Sequence, residues 1–186
     1  MYKLCKTEQS ALRQRDMEEA LLQAMQNQRY EDISVSDLCA EIGVPRKTFY
    51  RYFDSKEDAL YALMDHRMMR FEDDYFVEEG LENDRYRLKH FFTFWMSQKD
   101  LLDALLRSGI SSLLVARAMQ HASEDGLLRA GMKHYTEDFR DEAIRFMVCG
   151  LMNMMLRWHM EGFSVDPLRM AEKAKTILSV PLITNP

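Results

Sequence analysis

Between Pro45 and Phe53 the chain reads Pro-Arg-Lys-Thr-Phe-Tyr-Arg-Tyr-Phe. Wound as a helix, this stretch puts Phe49 and Phe53, at i and i+4, on one inward face. Arg46, Lys47, Thr48, Tyr50 and Tyr52 are left to offer cationic forks, hydroxyls and aromatic faces, the groups that bind phosphate oxygens and the edges of bases. From Val44 to Lys56 the cations Arg46, Lys47, Arg51 and Lys56 meet a single acid, Asp54. The chain as a whole carries a net charge of −5. Residues 1 to 56 hold nine basic and nine acidic side chains, so the surplus acid belongs to the remainder and does not oppose a polyanionic partner at the front. The chemistry on offer is non-covalent recognition. No GxSxG elbow, phosphate-binding loop or GxGxxG turn is present to support a reaction. The histidines, at 66, 90, 121, 134 and 159, form no HExxH and no i, i+4 pair, and Cys5, Cys39 and Cys149 are too far apart for a metal knuckle. No metal and no cofactor are expected, and the cysteines read as free thiols.

A short basic helix can enter a major groove only if another helix braces it. Ser34-Val35-Ser36-Asp37 has the pattern of a capping box, opening a helix with Leu38, Cys39 and Ile42 inward that stops at Gly43. Pro45 suits the first turn of the next helix, which runs to about Phe53. Ser55-Lys56-Glu57-Asp58 repeats the capping pattern and opens a longer helix carrying Leu60, Leu63, Met64, Met68 and Phe71. Ahead of all this, Glu8 to Gln28 places Leu12, Met17, Ala20, Leu21, Ala24 and Met25 at helical spacing, with Thr7 or Ser10 to cap it. Arg13 and Arg15, with Lys3 and Lys6 in a mobile tail, either add nonspecific phosphate attraction or form a solvated surface.

The stretch Ile33-x4-Leu38-x4-Gly43-Val44-x3-Thr48-Phe49-Tyr50-x-Tyr52-Phe53-x2-Lys56-Glu57-x2-Leu60 resembles the signature of the TetR family of transcriptional regulators. The resemblance implies that Tyr50 and Lys56 grip the DNA backbone, that Arg46, Lys47 and Thr48 lie at the groove with Tyr52 beside them, and that Ser36 approaches a phosphate. Two departures stand out. Pro45 replaces the Ser or Thr usual after Gly-Val, removing a capping hydroxyl. Lys47 replaces a frequent Gly, adding a long cation at the groove.

Seven Gly, four Pro and an apolar fraction of 47% favour an all-α chain. Further helices are predicted at 84–97, 99–107, 111–122, 124–134, 137–161 and 167–179. The expected architecture is a three-helix helix-turn-helix domain over residues 1–55 and an α-helical bundle for effector binding and dimerisation over 56–186, about nine helices in all. The later pattern Phe91-Phe92-x2-Trp95, Lys99-Asp100-Leu101-Leu102, Gly150-x7-Trp158-x3-Gly162 and Asp166-Pro167-x2-Met170-Ala171 more weakly resembles the dihydroxyacetone-kinase-regulator subgroup. By the resemblance to TetR regulators the last two long helices pair with a second copy, and the broad apolar stripe from Asp141 to Glu161 fits that use; Met147, Leu151, Met155, Trp158, Met170 and Ile177 are the interface candidates. Phe91, Phe92, Trp95, Tyr135, Met147 and Met154 are candidate walls of a pocket for an apolar small-molecule effector, the flexible thioethers among fifteen Met suiting such a role. Gap-filling in helix cores explains any single Met as well. The acidic residues from Glu72 to Asp84 either attract a cation or form a solvated helix end.

No apolar run approaches the ~18 residues of a membrane span, and Met1 to Lys6 lacks the apolar core of a signal peptide, so a cytoplasmic protein is expected. The reading that follows is a non-enzymatic, dimeric regulator of TetR type, probing double-stranded DNA as a repressor. Two other classes remain open on the sequence: a helical protein-interaction adaptor with a vestigial helix-turn-helix, and a helical-bundle enzyme.

Overall fold

Thr7 begins the ordered helices: its hydroxyl oxygen accepts a hydrogen bond from the Ser10 amide at 3.2 Å, satisfying one of the first-turn donors. In the computed structural model, which describes residues 2, 3, 5, 7–77, 84–124 and 136–179, that cap opens α1, Glu8–Asn27. Nine α-helices and no strands occur among the described residues. They divide into two compact units, one of residues 1–68 with 100–117 and one of 69–99 with 118–186.

In the first unit Met17, Leu21, Leu22 and Met25 of α1 are almost wholly buried. Leu12, expected inward, is 56% exposed, and Leu22 supplies an inward position that strict spacing passed over. A 3-10 turn, Tyr30–Asp32, leads to α2, Val35–Glu41. The Asp37 amide donates to Ser34 Oγ at 3.1 Å, as a capping box requires. The Asp37 carboxylate does not return to the Ser34 amide but accepts from the Ser34 hydroxyl at 2.6 Å.

Gly43 then turns the chain at φ +66°, a left-handed value that costs an L side chain about 1–2 kcal/mol. The Val44 amide reaches back to the Cys39 carbonyl at 2.9 Å and closes the corner. The next helix, α3, is Arg46–Tyr52. Pro45 stands just outside it as the N-cap, because its ψ of 144° is extended, and its carbonyl accepts the Thr48 amide at 2.7 Å. Helix α4, Lys56–Val77, starts on Ser55, whose Oγ accepts from the Asp58 amide at 3.1 Å. Here the returning carboxylate of Asp58 takes the Asp54 amide at 3.2 Å.

Two further helices complete this unit's frame. Helix α6, Lys99–Arg107, buries Leu101, Leu102, Ala104 and Leu105. Its Arg107 donates to the carbonyls of Met25, at 2.9 Å, and Gln26. That supplies the cation missing from the last turn of α1, where orphan carbonyls and the helix dipole favour one. Gln26 answers by donating to the Asp100 carbonyl at 2.9 Å, and Ser108 Oγ accepts the Tyr30 amide at 3.0 Å. Helix α7, Ser111–Glu124, carries Arg117, whose guanidinium forks onto the Asp65 carboxylate.

In the second unit α5, Asp84–Ser97, packs on the last two helices, α8, Glu137–Met160, and α9, Pro167–Ser179. Trp158 holds the centre. Its indole N–H donates to the Val165 carbonyl at 3.0 Å, and its ring meets Phe92 edge-on at 5.7 Å and Phe163 at 4.7 Å. The predicted helices at 84–97, 99–107 and 167–179 occur at those limits, while 124–134 lies outside the described residues.

Candidate nucleic-acid interface

Helix α3 has two faces that its sequence dictates. Phe49 and Phe53 lie against each other, ring centroids 5.1 Å apart, and both are buried in the helix-turn-helix core. Tyr50 is 41% exposed, and Arg46 and Lys47 are exposed beside it, with Thr48 half-buried. The Arg46 guanidinium sits 5.8 Å from the centre of the Tyr50 ring and donates to its hydroxyl at 3.3 Å, an i, i+4 pair that preorganises both side chains on the outer face. Ser36, on the first turn of α2, is exposed.

Two residues of the set sit differently from what their composition implies. Tyr52 is only 4% exposed, its ring packed beside Phe53 in the core. Burying it is cheap, because the phenol oxygen accepts from Arg51 at 3.0 Å while the ring body stays apolar. The i+3 spacing from Phe49 already put it on the inner side. Arg51, which lies over that ring at 5.2 Å and is itself exposed, shares the outward face of Lys47 one turn on; the sequence reading counted it among the cations of this stretch but not among the contact residues.

Lys56 is half-buried. Its ammonium donates to the carbonyls of Tyr30 and Ile33, both at 2.5 Å, and lies 4.3 Å from the Tyr30 ring centre. Burial pushes its pKa below the usual lysine value, against the opposing pull of Asp32 and Glu31. It pins the 3-10 turn and the entry of α2 to the start of α4, and so fixes the base on which α3 stands.

The unit also contains a buried polar cluster behind this face. His66 Nδ1 lies 2.8 Å from Glu18 Oε2, and burial raises the Glu18 carboxyl above its ordinary value although His66 lowers it. Glu18 Oε1 and Gln14 Nε2, one helical turn apart, are buried with no hydrogen-bond partner. No group of three or more His, Cys, Asp or Glu that could hold a metal occurs among the described residues.

In the second unit Phe92 and Trp95 are buried, and Phe91, Met147 and Met154 half-buried; Tyr135 lies outside the described residues. Phe71, Phe91 and Phe94 form an aromatic cluster, with Phe71 5.3 Å from Phe94 and 6.1 Å from Phe91. Of the interface candidates, Met155, Trp158 and Met170 are buried within their own unit, Met147 and Leu151 are half-buried, and Ile177 is exposed. The sequence reading passed over Phe139, Phe146 and Met160 of α8 and Leu178 of α9, all exposed. For the three on α8 the signal was a spacing in sevens, 139 to 146 and two such steps on to 160, which keeps one face of a helix.

Comparison with known proteins matches this architecture. Residues 19–63, from mid-α1 into α4, match the family model of bacterial regulatory proteins, tetR family. The fatty acid degradation regulator FadR of Bacillus halodurans superposes with a TM-score of 0.63 at 19% identity, over 96% of this chain and 98% of that one. A TetR-family transcriptional regulator from Syntrophomonas wolfei gives 0.66 at 17%, over 94% and 99%. The dihydroxyacetone kinase operon activator DhaS gives 0.52 at 17%, over 89% and 93%. At these identities the likeness is one of fold. No curated protein matches in sequence.

Proposed function

We propose that this chain, with its tetR-family helix-turn-helix segment and the fold of TetR-family regulators, is a DNA-binding transcriptional regulator. The observation that carries the reading is the outer face of α3: Arg46, Lys47, Tyr50 and Arg51 are exposed on a short helix braced from behind by α2 and by the buried pair Phe49 and Phe53. In this reading residues 1–55 are the DNA-binding domain and 56–186 the effector and dimerisation domain. Lys47 and Thr48 approach base edges, while Arg46, Tyr50 and Ser36 take phosphates. Lys56 acts from beneath, holding the turn that positions α2, and Tyr52 serves as the core side of the same helix.

Two copies would place two α3 helices in successive major grooves, about 34 to 36 Å apart on a near-palindromic operator. Exposed Phe146 and Met160 of α8 with Ile177 and Leu178 of α9, flanked by Met147 and Leu151, support a homodimer through that face. Occupying an operator that overlaps a promoter gives repression. An apolar effector in the second unit, among Phe91, Phe92, Trp95, Tyr135, Met147 and Met154, would release DNA by favouring another spacing of the heads. No helix among the described residues is long and apolar enough to cross a membrane, and the cytoplasm is the compartment this function requires.

The test is fluorescence anisotropy with DNA from around the chain's own gene at several salt concentrations, beside Tyr50→Ala. Tight binding to one fragment that weakens steeply with salt, and at least a tenfold loss in the variant, is the expected result. Equal, feeble binding to every fragment would overturn the reading.

A further inference from the structure

The three described residues ahead of the Thr7 cap reach three different helices of the first unit. The Tyr2 hydroxyl donates to Asp65 Oδ2 on α4 at 2.9 Å. The Lys3 amide donates to the Tyr52 carbonyl at 3.0 Å, and Lys3 Nζ to the Tyr50 carbonyl at 3.3 Å, both in the last turn of α3. The same ammonium lies 3.4 Å from the Asp54 carboxylate just beyond that turn. Cys5 Sγ donates to Gln14 Oε1 on α1 at 2.7 Å. The sequence leaves this tail free, yet its polar groups are spent on named partners.

We infer that Tyr2, Lys3 and Cys5 form a strap that positions the recognition helix, tying the C-terminal end of α3 to the Asp65–Arg117 ion pair between α4 and α7. A seven-residue helix has few internal hydrogen bonds, and its last carbonyls have no partner within the helix. Lys3 satisfies two of them and brings a positive charge to the negative end of the dipole. Its neighbour Tyr2 is anchored where the anchor does not yield: Asp65 is 2% exposed and held on both oxygens by Arg117. Tyr2 also lies against the His66 ring, centroids 6.1 Å apart. The strap therefore ties the last turn of α3 to a buried carboxylate whose orientation Arg117 fixes. Arg117 sits on α7, so a displacement of α7 that turns the Asp65 carboxylate away from the Tyr2 hydroxyl would loosen the strap and with it the recognition helix. What the strap serves rests on the DNA-binding reading; its existence does not.

Hydrogen exchange of the free protein, read by mass spectrometry, tests the strap without DNA. Tyr2→Phe removes one hydroxyl and no charge, and Lys3→Pro removes the amide donor to Tyr52. In each, exchange over residues 49–53 is expected to quicken about tenfold, the scale of one hydrogen bond to a charged group, while α1 and α6 stay as in the wild type. Tyr2→Phe is then expected to weaken operator binding about fivefold with no change in the slope of log affinity against log salt, because every phosphate-attracting charge remains. Unchanged exchange over 49–53 in both variants overturns the strap, as does a uniform quickening over the whole chain. Localised quickening in a protein that binds no DNA fragment upholds the strap and overturns the regulator reading instead.

Discussion

Lys47 and Tyr50 lie three positions apart on α3, and their side chains differ in what they can read. A phenol hydroxyl on a phosphate carries no sequence information, whereas an ammonium at a base edge discriminates by about 1–3 kcal/mol when it meets guanine acceptors. We expect Lys47→Ala to narrow the affinity gap between the operator and single-base variants of it, at one or two positions, in a competition binding series. Tyr50→Ala should instead weaken binding to all of them alike. Behind the same face, Glu18 sets a dependence on acid. Burial raises its carboxyl above the ordinary value, outweighing the lowering by His66 and Arg15. The folded chain then holds that proton to a higher pH than the unfolded chain, so the group's contribution to stability falls as pH rises above about 4.3. Glu18→Gln should make the thermal midpoint less sensitive to pH between 4.5 and 7, with its largest relative gain at pH 7; an unaltered slope would mean that Glu18 is solvated in the folded state.

At the level of the elements, the corner between α2 and α3 depends on one backbone angle. Gly43 stands at φ +66° with open space where a Cβ would go, so a side chain there meets strain in the backbone and no clash. Gly43→Ala is expected to destabilise the helix-turn-helix by about 1 kcal/mol in denaturant titration, and Gly43→Asn by less, because Asn tolerates the left-handed region. The same corner explains how much of the architecture was legible. Ser34, Gly43, Pro45 and Ser55 punctuate the chain with local chemistry, and each marks a helix boundary within two residues of where it falls. Side-chain partnership is a matter of tertiary contact, and it was not legible. Nothing near Lys56 in sequence announces the carbonyls of Tyr30 and Ile33, and nothing near Arg107 announces those of Met25 and Gln26. Tyr52 misled for the opposite reason: its polarity suggested exposure, but its spacing from Phe49 already placed it inside.

On the scale of the whole molecule, the proposed recognition of a two-fold operator requires a second copy, and the exposed apolar residues of α8 and α9 are the ones proposed to meet it. Phe146 is 65% exposed at the middle of a 24-residue helix, and Phe139 and Met160 of α8 with Ile177 and Leu178 of α9 are exposed as well, more apolar surface than these two helices need show to water. Met155 and Trp158 belong to the same helix but point into their own unit, Met155 fully buried and Trp158 bonded to Val165. The two groups should therefore fail differently. Phe146→Asp leaves the core intact and puts a charge into each half of an isologous interface, where it would have to be stripped of water when the copies meet. It is expected to sediment as a folded monomer at micromolar concentration with its thermal transition still cooperative, and to lose operator affinity by at least a hundredfold, since one head alone keeps only half the contacts. Met155→Ala opens a cavity within the unit and should lower stability by about 2–5 kcal/mol while the chain that remains folded still dimerises. A dimer that survives Phe146→Asp would move the interface off this face, and with it the route by which two α3 helices are proposed to be set one turn of DNA apart.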